Sequence, residues 1–239
     1  MSRLPILRKE ILAKGTPARA RSSARFFKTG KGQYGEGDVF VGLTVPELRA
    51  ITKNYRDVPL SELKLLLHSR EHEFRLAALL ILVDQFARAP ASEQKKICDL
   101  YLANTKWINN WDLVDVSAPN IVGAYLEAKS KAPLFVLTKS ASLWERRIAM
   151  VATLAFIQKG ESDTALRIAT MLINDTHDLI HKAVGWMLRE VGKKASLRAL
   201  LQFLDRHAAT MPRTALRYAI ERLSPAQRTR YMKKASLRP

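Results

Sequence analysis

Arg75-Leu-Ala-Ala-Leu-Leu-Ile-Leu-Val83 is the stretch on which the fold turns. Its residues Leu76, Leu79, Leu80 and Val83 recur at the three- and four-residue steps of a helix that buries one face. The same rhythm runs through Leu63, Leu66 and Leu67 before it, and through Ile148, Val151 and Leu154 after it. Strand-type alternation is almost absent, so the expected fold is all-α. Short breaks separate the helical stretches at Val58-Pro59-Leu60-Ser61, Ala89-Pro90-Ala91-Ser92, Lys131-Ala132-Pro133, Lys159-Gly160 and Met211-Pro212. Each break carries a proline or glycine, and serines stand nearby to cap the helix that follows. The helices are expected to come in antiparallel pairs.

Aligning the second helix of each pair brings out a repeat. Arg75-Leu-Ala77, Trp111-Asp-Leu113, Arg147-Ile-Ala149, His181-Lys-Ala183 and Arg213-Thr-Ala215 follow one another at steps of 36, 36, 34 and 32 residues. Two helices per period of that size predict a HEAT-like helical-repeat solenoid with one long concave face. Residues 1–239 read as a single all-helical domain, with N-terminal helices and a glycine-rich loop over 1–45 and helical repeats over 46–239. The loop, Gly30-Lys-Gly-Gln-Tyr-Gly-Glu-Gly37, lacks the Lys-Ser/Thr ending of a P-loop and follows no strand. It reads as an ordered connection whose main-chain N–H groups can approach a phosphate.

The charge narrows the partner. Against 22 Asp and Glu stand 40 Lys and Arg in 239 residues, a net +18, far more than solubility requires. Such an excess points to a polyanion, nucleic acid first and an acidic membrane surface second. No uninterrupted apolar run reaches spanning length, so no membrane crossing is expected. The single cysteine, Cys98, offers neither an internal disulfide nor a thiolate zinc site, which favours a reducing compartment and a cytoplasmic location. The arginine-rich start, Met1 to Phe27, suits a basic first helix or a transit peptide, and the helix is the reading adopted.

Three stretches carry chemistry-bearing residues. His68-Ser-Arg-Glu71-His72 matches the inverted zinc-hydrolase pattern. It falls where one helix ends and the next begins, which breaks the helical geometry both ligands need, and Arg70 and Arg75 oppose a dication. No metal site is expected. The four tryptophans, Trp107, Trp111, Trp144 and Trp186, all lie in the repeat region. In Trp107-Ile-Asn-Asn-Trp111-Asp112-Leu-Val-Asp115, helical spacing puts Trp107, Trp111 and Asp115 on one face, with Asp112 about a quarter-turn away. Pro119 has no N–H for the carbonyl of Asp115, so the helix should bend or break there. On α-helical spacing Lys182, Trp186 and Arg189 give cation, indole, cation along one face, an arrangement suited to a phosphate backbone on either side of a ring. Two plainer readings stand beside these: Trp111 in the core with Asp112 or Asp115 capping a helix, and Trp186 buried under snorkelling basic neighbours.

Asn-Asn-Trp111-Asp112-Leu-Val-Asp115, Leu143-Trp144-Glu145-Arg146-Arg147 and Lys182-Ala-Val-Gly185-Trp186-Met-Leu-Arg189-Glu190, in that order and spacing, resemble the AlkD-like DNA alkylation repair glycosylases, which are built of HEAT-like repeats. Tyr34-Gly-Glu-Gly-Asp38 and Gly42-Leu-Thr-Val-Pro46 extend the likeness over most of the chain. The resemblance implies excision of N3- and N7-alkylated purines from double-stranded DNA. It implies Trp111 and Trp186 flanking the lesion's sugar, Asp115 near its anomeric carbon and Arg147 beside the backbone, with the damaged base left in the stack. Asp112 inherits no chemical role. Lys182 and Arg189 are the other expected DNA contacts, and a monomer is the expected state.

The chemistry fits those residue types. A purine alkylated at N3 or N7 is already a cationic leaving group, so the enzyme's task is to stabilise the sugar cation left behind. An indole face attracts a cation by about 0.5–2 kcal/mol, and a carboxylate in a partly dry site adds a larger Coulombic contribution. This needs no metal or organic cofactor. The rival classes are a helical-repeat protein that only binds DNA or RNA, and a protein-interaction scaffold. A pure phosphate binder gains nothing from a carboxylate on its binding face, which is what Asp115 would be.

Overall fold

The computed structural model describes residues 2–236, and among them the only β pairing is an isolated bridge between Val39 and Glu71. The fold is all-α, as expected. The chain divides into two compact units, Met1–Ile121 and Val122–Pro239, each with its own core.

The first unit holds α1 (Leu4–Lys14), α2 (Pro17–Phe26), α3 (Val45–Thr52), α4 (Leu60–Leu67), α5 (His72–Arg88), α6 (Ala91–Ala103) and α7 (Trp111–Ser117). Its centre is α5, apolar on most sides and covered by α3, α4 and α7. Leu76, Leu79 and Leu80 are buried as the periodicity predicts, and Val83 is half-buried. Local sequence sets the boundaries. Pro59 and Pro90 stand at the N-caps of α4 and α6. Thr44 and Glu47 close a capping box on α3, with Thr44 N donating to Glu47 Oε2 at 2.8 Å. Glu73, buried in α5, accepts the amides of Val41 (2.8 Å), Gly42 (2.7 Å) and Leu43 (3.3 Å). Gly42 takes φ +92° there, a left-handed conformation that favours glycine.

The second unit holds α8 (Ala124–Leu126), α9 (Ala132–Leu137), α10 (Leu143–Ala152), α11 (Leu154–Ile157), α12 (Asp163–Leu172), α13 (Asp178–Glu190), α14 (Leu197–His207), α15 (Arg213–Ala219) and α16 (Pro225–Ser236). Here α13 is central, packed on α10, α12 and α15. Gly185 brings α15 close: a β-carbon at that position would lie 2.4 Å from the Ala215 carbonyl oxygen and 2.5 Å from Tyr218 Cβ. Ser142, Ser196 and Ser224 accept backbone N–H groups at the starts of α10, α14 and α16. All five expected breaks fall between helices.

Each of the five repeat anchors lies in or next to the first turn of a helix. The residue two places after each, Ala77, Leu113, Ala149, Ala183 and Ala215, is at most 1% exposed. The register needs one correction. In α5, α10 and α13 the fourth residue, Arg75, Arg146 and His181, reaches back to a carbonyl six residues earlier. Arg75 donates to Ser69 O (3.1 Å) and Arg70 O (2.8 Å), and Arg146 to Ser140 O and Ala141 O (both 3.0 Å). His181 bonds Asp175 O. Arg146, not Arg147, is thus the counterpart of Arg75. Aligning by residue type alone slipped one place because two arginines stand side by side.

Candidate functional site

In the first unit the site is built on α7. Asn110 caps it, accepting the Trp111 amide at 2.8 Å, while Asn110 Nδ2 donates to Asp38 Oδ2 at 3.3 Å. Trp111 is half-buried. Its ring lies 5.3 Å from that of Phe27 and 5.9 Å from that of the exposed Phe26. Its Nε1 donates to Tyr34 Oη at 3.3 Å, which brings the glycine-rich loop to the indole.

Asp115 follows one turn later on the same face, also half-exposed. Behind it Tyr101 is fully buried, with its hydroxyl 3.0 Å from Ser117 Oγ. Burial pushes the Tyr101 phenol up, and the nearby Asp115 charge adds to that, so Tyr101 stays protonated. After Ser117 the helix leaves the α register, and Pro119–Gly123 form a π turn. That is the break expected from the missing Pro119 N–H. Asn120 Nδ2 donates to the Val116 carbonyl at 2.8 Å.

Trp107 does not share this face. It sits in a one-turn 3-10 segment, Thr105–Trp107, and stacks on His68 at 4.9 Å, so helical spacing does not run unbroken into α7. The two histidines of the zinc-like pattern stand on different elements and have different partners. His68 Nε2 lies 2.6 Å from Asn104 Oδ1. His72, the first residue of α5, is buried with Nδ1 3.0 Å from Asp38 Oδ2 and Nε2 2.8 Å from Asp112 Oδ2. Its ring packs in a three-ring cluster with Phe40 at 4.6 Å and Phe27 at 5.1 Å, which also contact each other at 5.1 Å. Burial pulls the imidazole down, but Asp112 and Asp38 outweigh it and hold the group at about 9. Asp38 is itself paired with Arg75 and stays below the usual carboxylate range, because His72 and Arg75 overcome its burial.

The sequence reading missed this Asp38–His72–Asp112 bridge. Its three members are 34 and 40 residues apart. The one available signal was that Asp112 lies off the Trp111–Asp115 face and therefore points inward.

In the second unit Lys182, Trp186 and Arg189 lie along one face of α13, each half-exposed, while Ala183, Val184, Met187 and Leu188 are buried behind them. The cations are paired. Lys182 Nζ lies 2.8 Å from Asp178 Oδ2, and Arg189 reaches Glu221 Oε2 at 2.5 Å and Glu190 Oε1 at 3.3 Å. A phosphate arriving there would compete with carboxylates. Arg147 is placed differently from an open phosphate ligand. It is 4% exposed, and its Nη1 donates to Leu179 O at 2.5 Å, tying α10 to α13. The backbone contact expected of it has little surface to use.

No helix among the described residues is long and apolar enough to cross a membrane. A comparison with curated proteins gives no match. Among solved structures the chain is similar to a predicted DNA alkylation repair enzyme from Enterococcus faecalis. The identity is 18%, the match covers 88% of this chain and 97% of that one, and the TM-score is 0.67, which shows a shared fold. The sequence model of the family described as "DNA alkylation repair enzyme" matches residues 7–223. That span takes in α7 with its indole and carboxylate as well as the cation-flanked tryptophan of α13, and the chain belongs to this DNA alkylation repair family.

Proposed function

We propose that the protein is a DNA glycosylase that hydrolyses the N-glycosidic bond of cationic N3- or N7-alkylated purines in duplex DNA, leaving the base in the stack. One observation carries the reading. Of the two acids on α7, Asp112 is buried against His72, whereas Asp115 stands half-exposed one turn from the half-exposed Trp111. An indole and a carboxylate on one surface suit a developing sugar cation.

In this reading the C1′–N bond breaks with its electron pair passing to the purine, which leaves neutral. The Trp111 ring and the Asp115 carboxylate stabilise the oxocarbenium-like sugar. Water adds at C1′, oriented by Asp115, which takes its proton. The products are the free alkylpurine and an abasic site. On α13, Trp186 offers an indole face to the DNA between Lys182 and Arg189. Lys182 and Arg189 meet phosphates once these displace Asp178 and Glu221. Arg147 acts by holding α10 on α13. The net +18 supplies affinity for undamaged duplex through counterion release. The protein works as a cytoplasmic monomer.

The test is base release from methylated duplex under single-turnover conditions. Asp115→Asn should lower the rate by about 100-fold or more while duplex affinity stays close to wild type. Release at the wild-type rate would sink the assignment. A protein that only binds would retard DNA on a gel and leave no alkali-labile sites.

A further inference from the structure

We propose that His72 is a positioning residue, a doubly protonated imidazole strung between Asp38 and Asp112 that fixes the first turn of α7 and with it Trp111 and Asp115. This rests on the reading of those two residues as the pair that acts on the sugar.

The geometry demands two N–H groups. Both ring nitrogens lie within hydrogen-bond distance of a carboxylate, Nδ1 at 3.0 Å and Nε2 at 2.8 Å. A neutral imidazole carries one N–H, so it would turn a lone pair toward one of the two acids. The cation satisfies both, and the Phe40 ring stacks on it at 4.6 Å. The charged groups around the ring are Asp38 from the loop before α3, Asp112 from α7, and Arg75 on α5 itself, which reaches the ring only through Asp38.

The two acids are not equally dependent on the histidine. Asp38 is also held by Arg75 and Asn110, whereas Asp112 adds only the Leu113 amide (2.9 Å) of its own helix. Loss of a ring proton removes the positive charge on which Asp112 depends more than Asp38 does, and so loosens the hold on the first turn of α7. That turn carries Trp111, and Asp115 stands one turn further on. Asn110 joins Asp38 to the Trp111 amide, and Phe27 touches both His72 and Trp111. His72 acts on the site through these neighbours and need not meet the substrate.

Two measurements test this on the intact protein. First, ¹⁵N NMR of histidine-labelled wild type from pH 6 to 10, with His72→Gln to assign the signal among five histidines, should show both His72 nitrogens protonated at pH 7.5 and a proton lost near 9. A neutral ring at pH 7.5 overturns the proposal. Second, single-turnover base release should fall in wild type as pH rises through that range. His72→Gln should be about 10- to 100-fold slower, with no alkaline fall of its own and with duplex affinity within about threefold. Asp112→Asn, which leaves one carboxylate on the ring, should move the fall to lower pH. If His72→Gln keeps both the wild-type rate and the wild-type pH profile, His72 positions nothing. If His72→Gln does not fold, the wild-type titration and Asp112→Asn decide. If wild type releases no base at all, the glycosylase reading fails, while the NMR titration still decides whether the bridge exists.

Discussion

Replacing Gly185 by alanine sets two effects of opposite sign against each other. In an exposed helix interior the change gains about 1 kcal/mol, because glycine gives up more backbone freedom on folding. In α13 the new β-carbon would meet Ala215 O at 2.4 Å, Tyr218 Cβ at 2.5 Å and Ala215 C at 3.1 Å. None of these atoms can swing aside as the end of a side chain can, so α15 must retreat by about 1 Å to restore ordinary contact, and overpacking of this kind costs about 1–3 kcal/mol. Contacts this close with a carbonyl and a β-carbon put the strain at the upper end of that range, about 2–3 kcal/mol, so that about 1–2 kcal/mol of net loss remains after the propensity gain. For a chain of this size that lowers Tm by about 2–8 °C. Gly185→Val, with two further carbons to place, should lose more. The assay is calorimetric unfolding of wild type and both variants. A Gly185→Ala protein that melts at or above the wild-type temperature would refute the close packing of α13 on α15.

Three further outcomes are expected. The His72 imidazole is held at about 9, above its ordinary 6.5, so its contribution to stability is complete below about pH 6.5 and disappears as pH rises through 9. That contribution is on the order of 3 kcal/mol, so denaturant midpoints should be lower at pH 10 than at pH 6, and equal midpoints would contradict it. Glu73→Gln turns an amide NH₂ toward one of the backbone N–H groups the carboxylate now accepts, which should cost about 1–3 kcal/mol; an unchanged Tm would argue against that cradle. Duplex affinity should weaken steeply with salt, and neutralising Lys182 or Arg189 should each flatten the log–log slope by about one; unchanged slopes would move the DNA contact off α13.

Much of the helical layout was legible because its punctuation is covalent. Pro59, Pro90 and Pro212 stand at N-caps because their chemistry ends or begins a helix whatever surrounds them. The shared face of Trp111 and Asp115 was readable because both fall within one seven-residue helix. Trp107 was misplaced because nothing in its own side chain reveals that the backbone tightens to a 3-10 turn before Asn110 restarts the helix. The buried bridge through His72 was out of reach for another reason. It joins residues from a loop and two helices, and no periodicity relates them. The backbone contact expected of Arg147 came from the resemblance, and only packing shows that its side chain is buried and donates to the Leu179 carbonyl.

The back-reaching side chain at the fourth position of α5, α10 and α13 has a consequence for how such chains can grow. Arg75, Arg146 and His181 each bond a carbonyl only six residues upstream, so the clasp closes inside the same short run of sequence that forms the helix start. A duplication that copied one helix pair would copy both halves of the clasp, and the new pair would start with its entry loop already fastened. Lengthening the array would then require new surface only where successive pairs touch.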